Sequence, residues 1–289
     1  MAKKDFHKQL FPLLKTSIDT FASHPIILYP LCVTVFIQLL VLEILYFSPR
    51  FPLVVFFGPV IRHWGDAYLH YPLNFVLLPK LFYYAQTFIF IFIGSFLNAV
   101  TILLIAAVNN DRKLSIGAAI KECLPSYVHI FIAAVMYFCF FMGFISVYHW
   151  SVQKFLSLGF LAGMLPILQK IIVSSEPYVN LFLGVCVMTL FVFVIPVIVI
   201  EKKKVTTALI ENLKILWRSS WFMFLVVLIP TLLYVPILLL SGGVSTIGDN
   251  FSASIYLIVI ALSVVVTLFI DATVFTATTT FYLLKKENK

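Results

Sequence analysis

Charged side chains are scarce in this sequence. Only 11% of its 289 residues are Asp, Glu, Lys or Arg, against about 25% in an ordinary soluble domain. A soluble globule needs polar cover for its surface, and with 62% hydrophobic residues that cover is missing. Catalytic signatures are missing too. No G-x-x-x-x-G-K-[ST], H-E-x-x-H or G-x-S-x-G occurs, which removes the strongest reasons to expect a P-loop enzyme, a zinc protease or a serine hydrolase. The four cysteines, Cys32, Cys123, Cys139 and Cys186, form no C-x-x-C. They indicate neither a zinc site nor a disulfide framework, and they read as small buried hydrophobes. No A-x-A-like cleavage site follows the first apolar run, which ends in Phe47-Ser48-Pro49-Arg50, so a retained first span is expected. The net charge of +8 is not drawn into a basic stripe interleaved with aromatics, so nucleic acid is not an expected partner. No cofactor pattern is present either.

What the sequence has instead is a series of uncharged runs near the ~20 residues that carry a helix across ~30 Å of hydrocarbon. They predict an all-α polytopic membrane helix bundle, one integral membrane domain over 1–289. The spans fall at 25–47, 81–108, 127–148, 180–200, 221–241 and within 252–284. Residues 155–169 are uncharged but short and carry Gly159, Gly163 and Pro166. An interfacial or re-entrant segment suits them better than a seventh span.

Lys and Arg set the orientation. Fifteen of the twenty fall on the side of the two chain ends, among them Arg112, Lys113, Lys121, Lys202, Lys203, Lys204, Lys214 and Arg218. Arg50, Arg62, Lys80, Lys154 and Lys170 fall on the other side. The positive-inside rule then puts both termini in the cytoplasm. A bacterial cytoplasmic membrane is the expected location, with the lipid bilayer and its anionic headgroups as expected partners of the basic clusters.

Amphipathic stretches accompany the spans. Leu10, Leu13, Leu14, Ile18 and Phe21 recur at helical spacing, with Lys8, Lys15 and Asp19 off that face. Ala208, Leu209, Leu213, Leu216 and Trp217 form a second stripe, with Glu211, Lys214 and Arg218 mostly away from it. Both predict helices lying on the membrane surface. Asp111-Arg112-Lys113 and Ala118-Ala119-Ile120 match Glu201-Lys202-Lys203 and Ala208-Leu209-Ile210 at an offset of 90 residues. The match suggests a three-fold repeat of helix hairpins over 5–108, 109–200 and 201–285.

The stretch Pro196-Val197-Ile198-Val199-Ile200-Glu201, followed by Ala208-Leu209, Trp217 and Ser220-Trp221, resembles a group of poorly characterised bacterial multi-pass membrane proteins. These are similar to the membrane domain fused to some glycerophosphodiester phosphodiesterases. The sequence departs from that pattern at Asn212, where a Ser is expected. The resemblance implies a membrane fold and supplies no catalytic residue. Read by itself, Pro196 implies a kink near the basic end of span four.

Three sets of polar residues stand out. Ser263, Thr267 and Asp271 recur every four residues, with Thr278 close to the same line. A carboxylate inside hydrocarbon costs several kcal/mol, about 2.5–3.5 on insertion scales, unless it meets protein or water. These residues form either a polar track through span six, or a carboxylate that reaches headgroups and packs against hydroxyls. Gly94, Asn98 and Thr101 share a face of span two with Tyr83 and Thr87, and that face predicts a helix-packing seam. His63, Asp66 and His70 share one helical face beyond span one. The spacing suits zinc, and a surface helix with an Arg62–Asp66 pair explains it equally. Three function classes follow in order of support. The first is a non-enzymatic scaffold, assembly factor or membrane-organising protein. The second is a small transporter or channel using the track at Asp271, and the third an intramembrane enzyme acting on lipid.

Overall fold

The computed structural model describes residues 6–70, 74–156, 165–246 and 254–287. Among the described residues every regular element is helical, and no strand occurs. In chain order the helices are α1 (Phe6–Ser23), α2 (Tyr29–Phe47), α3 (Leu53–Arg62), α4 (Asn74–Ile89), α5 (Ser95–Asn109) and α6 (Ile116–Cys123). They continue with α7 (Tyr127–Leu156), α8 (Leu165–Phe191), α9 (Val194–Glu201), α10 (Val205–Thr231), α11 (Val235–Thr246) and α12 (Ser254–Glu287).

Six segments are long and apolar enough to cross a membrane: Tyr29–Phe47, Leu77–Asn109, Ile116–Phe155, Ser174–Glu201, Val205–Ser241 and Leu257–Lys286. Six crossings would put both chain ends on one side, here called the terminal side, opposite the far side. Of the stretch 155–169, the two ends belong to α7 and α8, and residues 157–164 lie outside the described residues.

α5 is largely apolar and buried from Asn98 to Ala107, as suits a helix at the centre of a bundle. Around it α1, α6, α7, α9, α10 and α12 contribute to one core that includes Val100, Leu104, Ile130, Val197, Met223, Val226 and Ala272. Phe36, Phe88, Phe140, Phe182, Leu239 and Phe269 stay exposed on the outside. Outside water such a surface costs nothing, because lipid is as apolar as the side chains it meets.

α1 docks on α12 and α10 instead of lying free on the surface. Leu10, Leu14, Ser17 and Phe21 are buried, while Ile18 and Phe11 face outward. The stripe read from the sequence is therefore divided between protein and lipid. The same division occurs in α10. Val205, Ala208, Asn212 and Leu216 are buried, whereas Ile210, Leu213 and Trp217 are exposed, Trp217 to 90%. α10 bends at Ser219 (φ −140°, ψ 19°). A bend is needed, because the 37 residues of Val205–Ser241 would otherwise extend about 55 Å at 1.5 Å per residue.

The connections before α6 and α10 each turn through a left-handed residue, Asp111 (φ 51°) and Lys202 (φ 52°). Ser115 then caps α6 by accepting from the Ala118 N–H at 3.3 Å, the usual task of a serine at a helix start. Beyond Lys202 the terminal side is tied by charge. Glu201 accepts from the Tyr282 hydroxyl at 2.5 Å and pairs with Lys203 at 2.5 Å and Lys286 at 3.3 Å. Lys203 also reaches Glu211 at 2.6 Å. One knot of side chains thus joins the ends of α9, α10 and α12.

Candidate functional site

Asp271 lies at the middle of its span. Fourteen residues separate it from Leu257 and fourteen from Lys285 in the segment Leu257–Lys286, about 21 Å of helix each way. Along its own helix it is thus about as far from one end of the span as from the other.

Two cavities meet at this carboxylate. The larger, about 280 Å³, is lined by Thr34, Val35 and Gln38 of α2, Tyr83, Gln86 and Thr87 of α4, Phe138 and Phe141 of α7, and Val264 and Thr267 of α12. On α4, α7 and α12 these residues lie level with the shared residues or toward the far side, while on α2 Leu31, Thr34 and Val35 fall in the first two turns. The smaller, about 140 Å³, is lined by Ile102, Ala133, Ala134, Met188, Val192, Pro196 and Val274, and it extends toward the terminal side. Phe90, Asn98, Tyr137 and Asp271 line both. They form the partition between an outer and an inner chamber.

Both chambers are built on broken helices. Between α4 and α5 the residues Phe90–Gly94 form one π-helical turn, a distortion that releases backbone groups from their regular ladder. The Tyr127 hydroxyl of α7 donates to the Phe92 carbonyl at 3.0 Å. The second break lies between α8 and α9, where Phe193 leaves helical geometry (φ −101°, ψ −1°). Pro196 has no N–H to offer the Val192 carbonyl four residues back, so the helix opens there. Asn212 of α10 closes the gap from both sides. Its Oδ1 accepts from the Phe193 N–H at 3.0 Å, and its Nδ2 donates to the Leu190 carbonyl at 2.6 Å. Irregular backbone at membrane depth is tolerated where protein or a cavity receives its polar groups. The Tyr137 ring touches Phe90 at one break and Phe191 at the other, with centroids 5.8 and 5.9 Å apart.

The polar track predicted in span six is only partly assembled. Thr267 and Asp271 face the outer chamber. Ser263 donates to the Ile260 carbonyl at 2.6 Å, and neither it nor Thr278 lines either chamber. Thr278 is buried and donates to the Val274 carbonyl at 2.8 Å. Thr267 likewise donates to Ser263 O at 2.8 Å, which leaves its oxygen free to accept. Among the described residues, the Asp271 carboxylate has no hydrogen bond or ion pair within the protein.

The seam on span two serves packing and the site together. A Cβ on Gly94 would stand 3.6 Å from Thr34 Cγ2, an ordinary contact between α2 and the π-helical turn. Thr101 is buried and bonds its own helix. Asn98, only 5% exposed, turns to the partition.

At the histidine cluster, Arg62 pairs with Asp66 at 3.5 Å, and Lys80 stacks on the Trp64 ring, 3.6 Å from its centroid. Among the described residues no three His, Cys, Asp or Glu side chains come together as a metal site would require.

Two residues of the site escape sequence reasoning. Tyr137 has no motif around it. Asn212 is a buried-face polar residue in line with Ala208, Leu216 and Ser219, and that alignment was the signal available. The chain matches no protein-family model, no curated protein and no solved structure.

Proposed function

We propose that this chain is a small membrane transport protein whose substrate site is the partition at Asp271. One observation carries the reading: an acidic side chain halfway along the sixth span lines two adjoining cavities among the spans. Transport sites near the bilayer midplane, formed by discontinuous helices, follow the same physics. A scaffold has no use for a carboxylate held at such depth, and an enzyme acting on lipid would place its polar groups at one leaflet. The resemblance to the membrane domain of some phosphodiesterases contributes no site residue, so the reading rests on the geometry. The terminal side, which carries the basic clusters, is taken as the cytoplasmic face of a bacterial inner membrane. The left-handed connectors at Asp111 and Lys202 suit the repeat of helix hairpins.

Thiol accessibility tests this reading. Single cysteines replace Thr267 in the outer chamber and Ala134 in the inner one, in a background lacking the four native cysteines. Both are treated with a small charged methanethiosulfonate in membranes, beside an exposed control at Ser151. The reading expects both chamber positions to react, each faster from its own side. If the control reacts and neither chamber position does, the chambers are dry and the transport reading fails.

A further inference from the structure

We infer that the partition binds a small organic cation, such as an alkylated or aromatic amine, in exchange for a proton on Asp271; this rests on the transport reading and specifies its substrate. The sign of the site comes first. Among the described residues lining the two chambers, Asp271 supplies the one carboxyl group; no Lys, Arg or His lines either one, and the other titratable groups there are the phenols of Tyr83 and Tyr137. An ionised carboxylate at this depth without a resident partner is strongly disfavoured. It must hold a proton or a guest cation.

The walls then choose the kind of cation. Tyr83, Phe90, Tyr137, Phe138 and Phe141 face the outer chamber. Aromatic faces attract cations through their quadrupoles, most effectively once water is removed. They also receive the apolar substituents of an organic ammonium. A hard metal ion requires a shell of six or more oxygens in the case of calcium, or octahedral oxygens for magnesium. Beside the Asp271 carboxyl the outer chamber offers neutral amides and hydroxyls, such as those of Gln38, Gln86, Asn98 and Thr267, so a divalent ion would keep one charge uncompensated. A chamber of about 280 Å³ has room for a compact amine and falls at the small end of ligand sites.

The exchange balances. Protonated Asp271 releases its proton to water in the chamber, the carboxylate pairs with the incoming cation, and the charge of the partition is unchanged. On release, the carboxylate takes a proton from water and the cation leaves. For a singly charged substrate each exchange is electroneutral.

The test uses the full chain in lipid nanodiscs and benzyltrimethylammonium, a permanent cation that carries no titratable proton. Its uncharged carbon isostere, neopentylbenzene, is the control, and binding is followed by calorimetry between about pH 4 and pH 8. Proton and cation compete for one carboxylate, so affinity is expected to fall on acidification. The fall approaches tenfold per pH unit below the point where Asp271 takes its proton. The isostere is expected not to bind, and Asp271→Asn to abolish cation binding while melting as a folded protein. Asp271→Glu, which keeps the charge, is expected to retain binding. Equal binding of the isostere, undiminished binding to Asp271→Asn, pH-independent affinity or no binding at all would each overturn the inference. Reactive chamber cysteines together with absent cation binding would discard the substrate class and leave the transport reading intact. Unreactive cysteines would discard both.

Discussion

Asn212→Ala is expected to destabilise the folded protein by about 2–4 kcal/mol. The side chain is 1% exposed and holds two backbone groups at the α8–α9 break, the Phe193 N–H and the Leu190 carbonyl. Leaving one buried polar group without a partner costs about 1–3 kcal/mol. The Leu190 carbonyl is only partly buried and recovers some of its loss, which places the total in the lower half of the sum. Asn212→Ser has a shorter side chain that satisfies at most one of the two groups, so it should fall between wild type and alanine. The assay is reversible unfolding from mild detergent into sodium dodecyl sulfate, followed by far-ultraviolet circular dichroism. An alanine variant within about 0.5 kcal/mol of wild type, the usual size of a surface substitution, would refute the reasoning. It would mean that the break is held by its own backbone or by water.

Three further outcomes are expected. Asp271→Leu should raise the melting temperature in detergent, because it removes a carboxylate worth about 2.5–3.5 kcal/mol against insertion at a helix centre; an unchanged or lower melting point would show that the carboxylate is satisfied. Gly94→Ala should be tolerated, since its Cβ meets Thr34 at an ordinary 3.6 Å, whereas Gly94→Leu should cost about 1–3 kcal/mol by overpacking, a contrast read from the two melting curves. Hydrogen bonds to Glu201 and then Glu211 hold the Lys203 ammonium above the ordinary lysine value of 10.5. A raised pKa stabilises the fold below the unfolded value and loses that effect as pH rises through the folded one. The difference in melting temperature between wild type and Lys203→Met should therefore stay constant from about pH 7 to 9 and shrink above roughly pH 10.5.

The six crossings were legible because a span of ~20 uncharged residues is a strong and local signal. Their ends were less so. Span three was expected over 127–148, yet α7 continues to Leu156, since His149 and Glu176 can pair at 3.5 Å beyond the apolar run. Pro196 announced a kink, and the break falls a turn earlier, at Phe193, because a proline removes the bond of the carbonyl four residues before it. Amphipathic stripes were read as membrane-facing, but a stripe records only apolarity and cannot tell lipid from protein. Leu14 and Leu216 turned inward, while Ile18 and Leu213 turned outward. Asp271 was visible as an anomaly. Thr267 was legible beside it, one turn away on the same helix, but Asn98 and Tyr137 come from two other helices whose mutual rotation no single sequence encodes.

The two faces of α10 have a mechanical meaning. On one side of the helix Leu213, Trp217 and Trp221 are exposed and suited to the level where tails meet headgroups. On the other, Asn212 grips the break whose residues wall the inner chamber. A rod fixed in the interface at one face and clamped to a hinge at the other is a lever. Its fulcrum is the bend at Ser219. When the hydrocarbon layer thins or is stretched, the interface moves toward the midplane, and the rod must tilt or its tryptophans must leave their level. The tilt, transmitted through Asn212, is expected to pull on Leu190 and Phe193. The width of the inner chamber is thus expected to follow bilayer thickness, with lipids of graded chain length serving as the ruler.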